Sequence, residues 1–266
     1  LARCAPDAQM SYLTVLGDDA ISQKMATFMR DGGIDDQFVQ VAKGQTVGLY
    51  MITLDEGERS FSYWRGQSAA KALADDTTAL DTAMDASDLI YFSGITLAIL
   101  PANGREALLT AAQKARAAGK IIAFDPNLRP RLWASDAEMT DTIMQAAAVS
   151  DIVLPSFEDE ADWFNDANPK ATADRYLNAG AVTVIVKNGA DPVLYAEGSN
   201  YAEVPVTPVQ TLVDTTAAGD SFNAGIFARH AAGDTLAGGI AYACALSRQV
   251  VQSRGALVAF DPESIR

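Results

Sequence analysis

A run of small residues followed by a carboxylate, residues 214–225 (DTTAAGDSFNAG), is the part of the sequence best suited to chemistry. If a helix begins near Gly219, its first N–H groups lack helical partners and carry partial positive charge, so they can bind an anion. The small side chains of Ala217 and Ala218 let a phosphate approach the backbone. Asp220 would then accept the proton of a substrate hydroxyl beside that phosphate. The run predicts phosphoryl transfer; an ordinary acidic first helical turn is the alternative.

This run resembles the signature Asp-Thr-x-Gly-Ala-Gly-Asp of the ribokinase-like (phosphofructokinase-B type) carbohydrate kinases, whose last Asp is the catalytic base. Asp220 takes that position. Ala217 stands where most of the family has Gly, a variant similar to 2-keto-3-deoxygluconate kinases. Residues 124–133 (FDPNLRPRLW) resemble the same kinases and predict a stiff turn that aims Arg129 across the sheet. Turn capping is the alternative role of Asp125 and Asn127.

Aromatic and cationic residues between positions 50 and 65 suit a sugar acid. Strand alternation places Tyr63 and Arg65 on one face. A guanidinium can bind a carboxylate through two hydrogen bonds, and a tyrosine offers a flat apolar surface and a hydroxyl. The resemblance implies that Arg65 holds the substrate carboxylate and that Tyr50, Tyr63 and Arg129 complete the substrate pocket. From the residues alone, ordinary sheet packing and a solvated charge remain the alternatives.

The resemblance also implies a set of ATP-binding residues: Lys187, Gly189, Thr215, Gly219, Asn223 and Ser247. Gly189 permits a close backbone approach, whereas a lysine at a strand end is often only a surface charge. The family's Asn-x-x-Glu motif, tied to magnesium and phosphate, corresponds here to Ser156-Phe157-Glu158-Asp159. Asp159 is therefore a candidate magnesium ligand acting through water. ATP and Mg²⁺ are the implied cofactors, and a monovalent cation is left open.

Composition excludes several classes of function. The chain has 266 residues, 49% of them hydrophobic, which is enough for one large core. A formal charge of -14 disfavours nucleic acid and anionic membranes as partners, and no apolar run reaches the roughly 20 residues that span a bilayer. Cys4 and Cys244 lack metal-ligand spacing, so we expect buried, reduced thiols and a cytoplasmic protein. His230 is expected to be structural or exposed.

Apolar strand-like runs alternate with helical patterns, which predicts an α/β fold with a mainly parallel sheet. The predicted strands are 89–92, 120–124, 151–154 and 183–186, and the predicted helices are 18–33, 102–118, 136–148, 219–231 and 235–252. Asp18 is the expected cap of the first helix. Polar turns, including Ser93-Gly94, follow the strands, and ligands bind at the carboxyl ends of strands in such sheets. The resemblance implies a ribokinase-like three-layer αβα core.

We assign residues 1–34 and 67–266 to this core and residues 35–66 to a small β lid. The lid is predicted to contain strands 48–53 and 59–65, joined across residues 55–58. The resemblance implies a further core strand and a Gly-Gly turn ahead of Leu1, which we expect to be missing from this sequence. Lids with an apolar face often pair in this family, so a homo-oligomer through the lid is expected.

The resemblance extends along the whole sequence and implies a kinase that phosphorylates the 6-hydroxyl of 2-keto-3-deoxy-D-gluconate with MgATP. Its partners would be a small sugar acid and ATP. Another sugar kinase of the family, acting on fructose or a ketogluconate, is the first alternative. A non-catalytic sugar-binding paralogue is the second, because of Ala217 and the expected missing segment.

Overall fold

The computed structural model describes residues 1–55, 58–260, 262 and 265. Its strands are β1 Thr14–Gly17, β2 Val39–Ala42, β3 Leu49–Asp55, β4 Glu58–Trp64, β5 Leu89–Ser93, β6 Ile121–Asp125, β7 Ile152–Val153, β8 Thr183–Val186, β9 Val193–Glu197 and β10 Asn200–Val204. Its helices are α1 Ala20–Asp31, α2 Thr77–Asp85, α3 Gly94–Ile99, α4 Ala102–Ala117, α5 Asp136–Ala148, α6 Phe157–Phe164, α7 Pro169–Ala179, α8 Ala218–Ala231 and α9 Leu236–Val250.

A central sheet of six strands runs in the order β10-β9-β8-β7-β6-β5. Strands β5 to β8 pair in parallel, whereas β8-β9 and β9-β10 pair antiparallel. Alternate residues of β6 join different buried clusters: Phe124 packs with the cluster that includes α4 and α5, and Ala123 packs with the cluster of α8 and α9. Helices therefore cover both faces, which explains why the inner strands β6, β7 and β8 are almost entirely apolar and confirms the three-layer fold.

The predicted strands and helices all appear, with ends shifted by up to two residues. The cap of α1 is an exception, because Asp19 rather than Asp18 accepts from the N–H groups of Ile21 and Ser22, both at 2.8 Å. Asp18 accepts instead from the Gly44 N–H at 2.9 Å. The sequence did not indicate α2, α6, α7, β1, β2, β9 or β10, several of which are short or form the antiparallel edge of the sheet.

The predicted Ser93-Gly94 turn is wrong, since α3 begins directly at Gly94. A Cβ at this position would lie 1.8 Å from the Pro126 carbonyl oxygen. Only glycine lets the start of α3 pack against the turn that follows β6. This close approach brings the carboxyl ends of β5 and β6 together at one edge.

Two small sheets lie outside the central one. Strand β2 pairs in parallel with β1, although β2 falls within residues 35–66, the range predicted as the lid. Strands β3 and β4 pair with each other as an antiparallel hairpin. Residues 56 and 57 of its predicted turn lie outside the described residues. Among those described, no helix combines the length and apolarity needed to cross a membrane.

Candidate active site

Helix α8 begins immediately after a residue in the left-handed conformation. Ala217 precedes the helix with φ 61 and ψ 16, a region that costs a residue with a Cβ about 1 kcal/mol or more. Glycine adopts this conformation freely, which explains why glycine would be the common residue at this position. The Ala218 N–H already donates to the Thr215 carbonyl at 3.1 Å, so the predicted phosphate site depends chiefly on the N–H groups of Ala217 and Gly219.

Asp214 fixes the loop that leads into α8. Its carboxylate is buried and accepts from the Thr216 N–H at 3.0 Å, the Thr216 hydroxyl at 2.7 Å and the Gly255 N–H at 2.8 Å. From the other side, the Ser247 hydroxyl donates to the Ala218 carbonyl at 2.8 Å. These hydrogen bonds hold the start of α8 in one conformation, and the role of Ser247 in binding ATP stays a prediction.

A buried polar cluster lies beneath this helix start. Lys187 Nζ donates to Asp125 Oδ2 at 3.1 Å and lies 3.5 Å from Asn223 Oδ1. The Asn223 amide donates to Asp125 at 2.7 Å and to the Tyr91 hydroxyl at 3.2 Å. A Cβ on Gly219 would lie 3.7 Å from Lys187 Nζ, so the ammonium group is next to the backbone of the predicted phosphate site. Lys187, Asn223 and Gly219 therefore lie close together, and their contact with ATP stays a prediction.

Asp220 lies in the first turn of α8, close to several charged groups. Asp220 as a whole residue is exposed, yet the atoms around its carboxyl group desolvate it and raise its pKa, and the charge of Asp125 raises the pKa further. Lys187 and Arg129 act in the opposite direction. A carboxylate with a raised pKa that still faces solvent can accept a proton from a bound hydroxyl.

Asp159 lies near the same charges, in the first turn of α6. Burial raises its pKa most, Arg129 lowers it, and Asp125 and Glu158 raise it. One region of the molecule therefore contains three carboxylates and two cations that influence one another's charge: Asp125, Asp159, Asp220, Arg129 and Lys187. In the part of the chain that is described, no three acidic or other ligating side chains are close enough to hold a metal by themselves.

Arg129 extends from a strained turn that follows β6. Asn127 has φ 35 and Arg129 has φ 47, although neither is glycine. Residues with a Cβ rarely adopt positive φ, and such strain concentrates at functional sites. The turn directs Arg129 toward Asp159 and Asp220, whose pKa values it lowers. The stiff turn predicted from the sequence is therefore present.

The hairpin brings Tyr50, Tyr63 and Arg65 together. Tyr50 and Tyr63 are directly opposite each other across the two strands, with ring centroids 6.2 Å apart. The Arg65 guanidinium stacks over the Tyr63 ring at 4.3 Å. Both tyrosines are more than half exposed, at 55% and 51%. Ordinary packing inside a sheet therefore does not explain them, and their contact with substrate stays a prediction.

Three other residues considered from the sequence lie on or next to β8, α8 and α9: Gly189, His230 and Cys244. Gly189 follows β8 with φ 60, a conformation that suits glycine. Cys244 lines a cavity of about 880 Å³ together with Thr207, Tyr242 and Arg248. Both cysteines are free thiols, as expected, but they are half-buried, whereas full burial was expected. His230, at the end of α8, is exposed, in agreement with its expected minor role.

Sequence reasoning gave no role to Tyr91 and left Asp125 undecided. Tyr91 lies at an exposed strand position, and its ring packs on Phe227 at 5.2 Å while its hydroxyl reaches Asn223. No motif indicated this, because the contact joins β5 to α8 across 132 residues. Asp125 could have been found from its place at a strand end, the usual position of ligand-binding residues in such sheets.

Comparisons with known proteins point to the carbohydrate kinases. The family described as pfkB family carbohydrate kinase matches residues 1–262. A 2-dehydro-3-deoxygluconokinase of Haemophilus influenzae is 35% identical over 257 residues, which cover 95% of this chain and 82% of the relative. A 2-dehydro-3-deoxygluconokinase of Escherichia coli is 36% identical over 253 residues, covering 93% of this chain and 82% of the relative.

Solved structures share the fold. A PfkB protein from Polaromonas sp. superposes with a TM-score of 0.80 at 27% identity, covering 94% of this chain and 82% of that one. An aminoimidazole riboside kinase from Salmonella enterica, solved with aminoimidazole riboside and an ATP analogue, gives a TM-score of 0.80 at 25% identity. That match covers 97% of this chain and 85% of the neighbour.

Proposed function

The chain belongs to the pfkB family of carbohydrate kinases, and we propose that it phosphorylates the 6-hydroxyl of 2-keto-3-deoxy-D-gluconate with MgATP. This sugar acid is the 2-dehydro-3-deoxygluconate named for the relatives at 35 and 36% identity. Two segments of the chain, the run into α8 and the turn after β6, carry the same resemblance. The substrate class follows from these relatives, and the chemistry follows from the residues around Asp220.

The observation that carries the proposal is the position of Asp220 in the first turn of α8, beside two cations. Lys187 and Arg129 both lower the pKa of this carboxyl, which means that their charges act at the same place. The helix start is prearranged by Asp214 and Ser247. A phosphate bound there would meet backbone N–H groups and Lys187, with Asp220 on the side from which a hydroxyl can attack.

In the proposed mechanism, Asp220 orients the 6-hydroxyl and accepts its proton as the hydroxyl oxygen attacks the γ-phosphorus. The bond between the γ-phosphorus and the bridging oxygen of ADP breaks on the opposite side. The N–H groups of Ala217 and Gly219 stabilise the charge that develops on the equatorial oxygens. Lys187, held by Asp125 and Asn223, neutralises further phosphate charge. Catalysis then consists of positioning and electrostatic stabilisation.

The residues present fit a magnesium ion that is bound largely by phosphate and water. Asp159 is the candidate that would hold it through water, and its raised pKa reflects burial next to other carboxylates, an arrangement that a cation would relieve. Magnesium commonly uses one or two carboxylates together with substrate phosphates. When bound, the ion would neutralise charge on the ATP oxygens. The cavity beside Cys244 and Thr207 is our proposal for the adenine site.

The substrate carboxylate is proposed to bind Arg65 on the hairpin, with Arg129 on the core side. Arg65 is already oriented by stacking on Tyr63, so less side-chain freedom is lost on binding. Tyr50 and Tyr63 would cover the apolar face of the sugar chain. Closure of this hairpin lid over the site would exclude water, which could otherwise accept the phosphoryl group.

The opposite face of the hairpin supports a homo-oligomer formed through the lid. Leu49, Met51 and Trp64 are about half exposed and lie together on the face away from the tyrosines. An exposed apolar face of this kind is typical of an interface. Light scattering after size exclusion should give a mass above 28.1 kDa, and Trp64→Lys should reduce it toward that value. The family and the two free cysteines support our proposal of a cytoplasmic location.

The direct test of the proposed function is identification of the product. The protein is incubated with MgATP and 2-keto-3-deoxy-D-gluconate, and the product is examined by phosphorus and carbon NMR. We expect one phosphate ester at O6 for each ADP released. ADP release without an ester would mean hydrolysis of ATP, and an ester at another carbon would contradict the proposed orientation of the sugar.

A further inference from the structure

Trp133 makes a buried hydrogen bond to the turn that carries Arg129. Its side chain is 8% exposed, and its indole N–H donates to the Leu128 carbonyl at 2.7 Å. This carbonyl belongs to the peptide bond between Leu128 and Arg129. The hydrogen bond therefore fixes the orientation of the peptide plane that leads into Arg129. Leu128 itself is fully buried.

The turn needs such a restraint because its backbone is unfavourable. Residues on both sides of Leu128 have positive φ, 35 at Asn127 and 47 at Arg129. Arg129 also precedes Pro130, whose ring restricts the backbone of the residue before it. Conformations of this kind persist only where the surrounding structure holds them. Without the indole N–H, the Leu128 carbonyl would be a buried acceptor left without this partner, and the turn would be free to relax.

Trp133 is itself fixed by the α3-α4 region. The Arg105 guanidinium stacks on its ring at 4.9 Å and donates through Nε to the carbonyls of Leu97 at 2.8 Å and Leu100 at 3.1 Å. Arg105 also pairs with Glu138 at the start of α5, at 2.5 Å. These contacts connect the strained turn to three helices of the core, so the indole ring cannot easily follow a movement of the turn.

We propose that Trp133 is a positioning residue that holds Arg129 in the orientation required by the sugar acid. This inference depends on the proposed function, because it assigns Arg129 to the substrate. Trp133 contacts neither substrate nor phosphate; it acts through the Leu128-Arg129 peptide. Loss of its N–H should release Arg129 while the nucleotide residues around Lys187 keep their hydrogen bonds.

The test is Trp133→Phe, which retains an aromatic ring for Arg105 but lacks the N–H donor. We expect the KM for 2-keto-3-deoxy-D-gluconate to rise about tenfold, since a buried acceptor loses its partner, and the KM for ATP to change by less than about twofold. In an Arg129→Ala background, the same substitution should raise the sugar-acid KM by less than about twofold. An equal effect in both backgrounds would overturn the proposal.

Hydrogen exchange gives a readout that does not depend on the substrate. Amides in the peptide spanning residues 126–132 should exchange faster in Trp133→Phe, whereas those in α8 should not change. If the wild-type protein fails to phosphorylate the sugar acid, the proposed function fails while this prediction about the turn still stands. Unchanged exchange in residues 126–132 would show that the indole does not restrain the turn.

Two further variants serve as controls, one for unfolding of Trp133→Phe and one for the loss of an indole group at another position. Benzothienylalanine at position 133 has nearly the shape of tryptophan but no N–H, so it should fold and reproduce both effects. Trp163→Phe is the matched control, because Trp163 packs against the core from α6 and lies outside the turn. It should leave the sugar-acid KM and the exchange of residues 126–132 unchanged; changes as large as those of Trp133→Phe would refute the assignment.

Discussion

Asp220, the proposed general base, has an environment that raises its basicity. It lies in the first turn of α8, where the helix dipole favours negative charge, yet partial burial and Asp125 raise its pKa. The raised pKa makes Asp220 more basic than an ordinary aspartate. In the proposed mechanism, such a base accepts the proton as the hydroxyl attacks phosphorus.

Asp220→Asn should lower kcat by about 10³-fold or more, because the amide cannot accept the proton, while the KM for ATP should change little. Coupled measurement of ADP release gives both constants. Asp81→Asn on α2, which removes an exposed carboxylate, is the matched control and should have wild-type kinetics. Wild-type turnover by Asp220→Asn would refute the role of Asp220.

The pH dependence of kcat/KM should report the environment of Asp220. The base works only when deprotonated, so the rate falls as the pH falls through its pKa, which is raised above the ordinary 3.8. Asp125 contributes to this rise by its charge. Asp125→Asn should therefore shift the acid limb of the profile to lower pH. A shift to higher pH, or an unchanged limb, would contradict the electrostatic coupling of these two residues.

At the level of elements, we assign the discrimination between a sugar acid and a neutral sugar to the hairpin β3-β4. It presents Tyr50, Tyr63 and Arg65 as one contacting group, whereas the core carries the proposed base and the proposed phosphate site. Specificity and chemistry are thus assigned to different elements. This division predicts that substitutions in the hairpin change substrate preference without removing kinase activity.

Arg65→Ala should raise the KM for 2-keto-3-deoxy-D-gluconate by about 10- to 100-fold, since a bidentate ion pair is lost. The KM for fructose, which has no carboxylate, should change by less than about twofold. Steady-state assays with both sugars measure the difference, and Lys114→Ala on the exposed surface of α4 controls for loss of a positive charge. Equal effects on the two sugars would exclude Arg65 as the carboxylate ligand.

Helices α6 and α7 are joined by a buried charged cluster. Glu160 is fully buried, and its carboxylate accepts from Arg175 at 2.7 Å and from the Tyr176 hydroxyl at 2.9 Å. Arg175, whose charge lowers the pKa of Glu160, also donates to Asp166. The effect of burial on Glu160 is larger than that of Arg175 and raises its pKa to about 7. Glu160 follows Asp159 directly, which means that the cluster also holds the helix that carries the candidate magnesium residue.

Stability should therefore depend on pH through Glu160. The unfolded chain releases this proton near pH 4.5, whereas the folded protein keeps it up to about pH 7. Between these values the folded state binds more protons, so the free energy of unfolding falls as pH rises. Relative to Glu160→Gln, the wild-type protein should lose on the order of 2 kcal/mol between pH 5 and 8 in urea titrations. Glu106→Gln, at an exposed position, is the control. If the difference in unfolding free energy between the wild type and Glu160→Gln stayed the same from pH 5 to 8, the raised pKa of Glu160 would be contradicted.

The long, strongly patterned elements were predictable from the sequence and the short ones were not. Helix α5 has the predicted bounds, because Ser135 caps it and apolar residues recur at helical spacing. Strands β9 and β10 lack such a signal, since β10 is mostly exposed. The start of α3 was missed because Gly94 was interpreted as a turn residue, whereas it serves a close contact with Pro126.

For the whole molecule, the residues of the site that belong to continuous motifs were predictable, and those joined by tertiary contacts were not. Asp220, Gly219 and Arg129 stand in strings with a recognisable pattern. The contacts of Tyr91 with Asn223 and of Trp133 with Leu128 required the fold, because one crosses the molecule and the other depends on a strained backbone. The net charge of -14 makes the local cations Lys187, Arg129 and Arg65 the natural site for anionic ligands.

The measurement that tests the central claim most directly is ADP release with MgATP and each of four sugars: 2-keto-3-deoxy-D-gluconate, 2-ketogluconate, fructose and ribose. We expect the highest kcat/KM for 2-keto-3-deoxy-D-gluconate, the sugar acid named for the relatives. Both sugar acids should be used better than fructose and ribose, because only they carry a carboxylate that Arg65 and Arg129 can bind. A higher kcat/KM for fructose or ribose would contradict the proposed pocket. Binding of the sugar acid without turnover of any sugar would contradict the kinase itself and favour a non-catalytic sugar-binding protein.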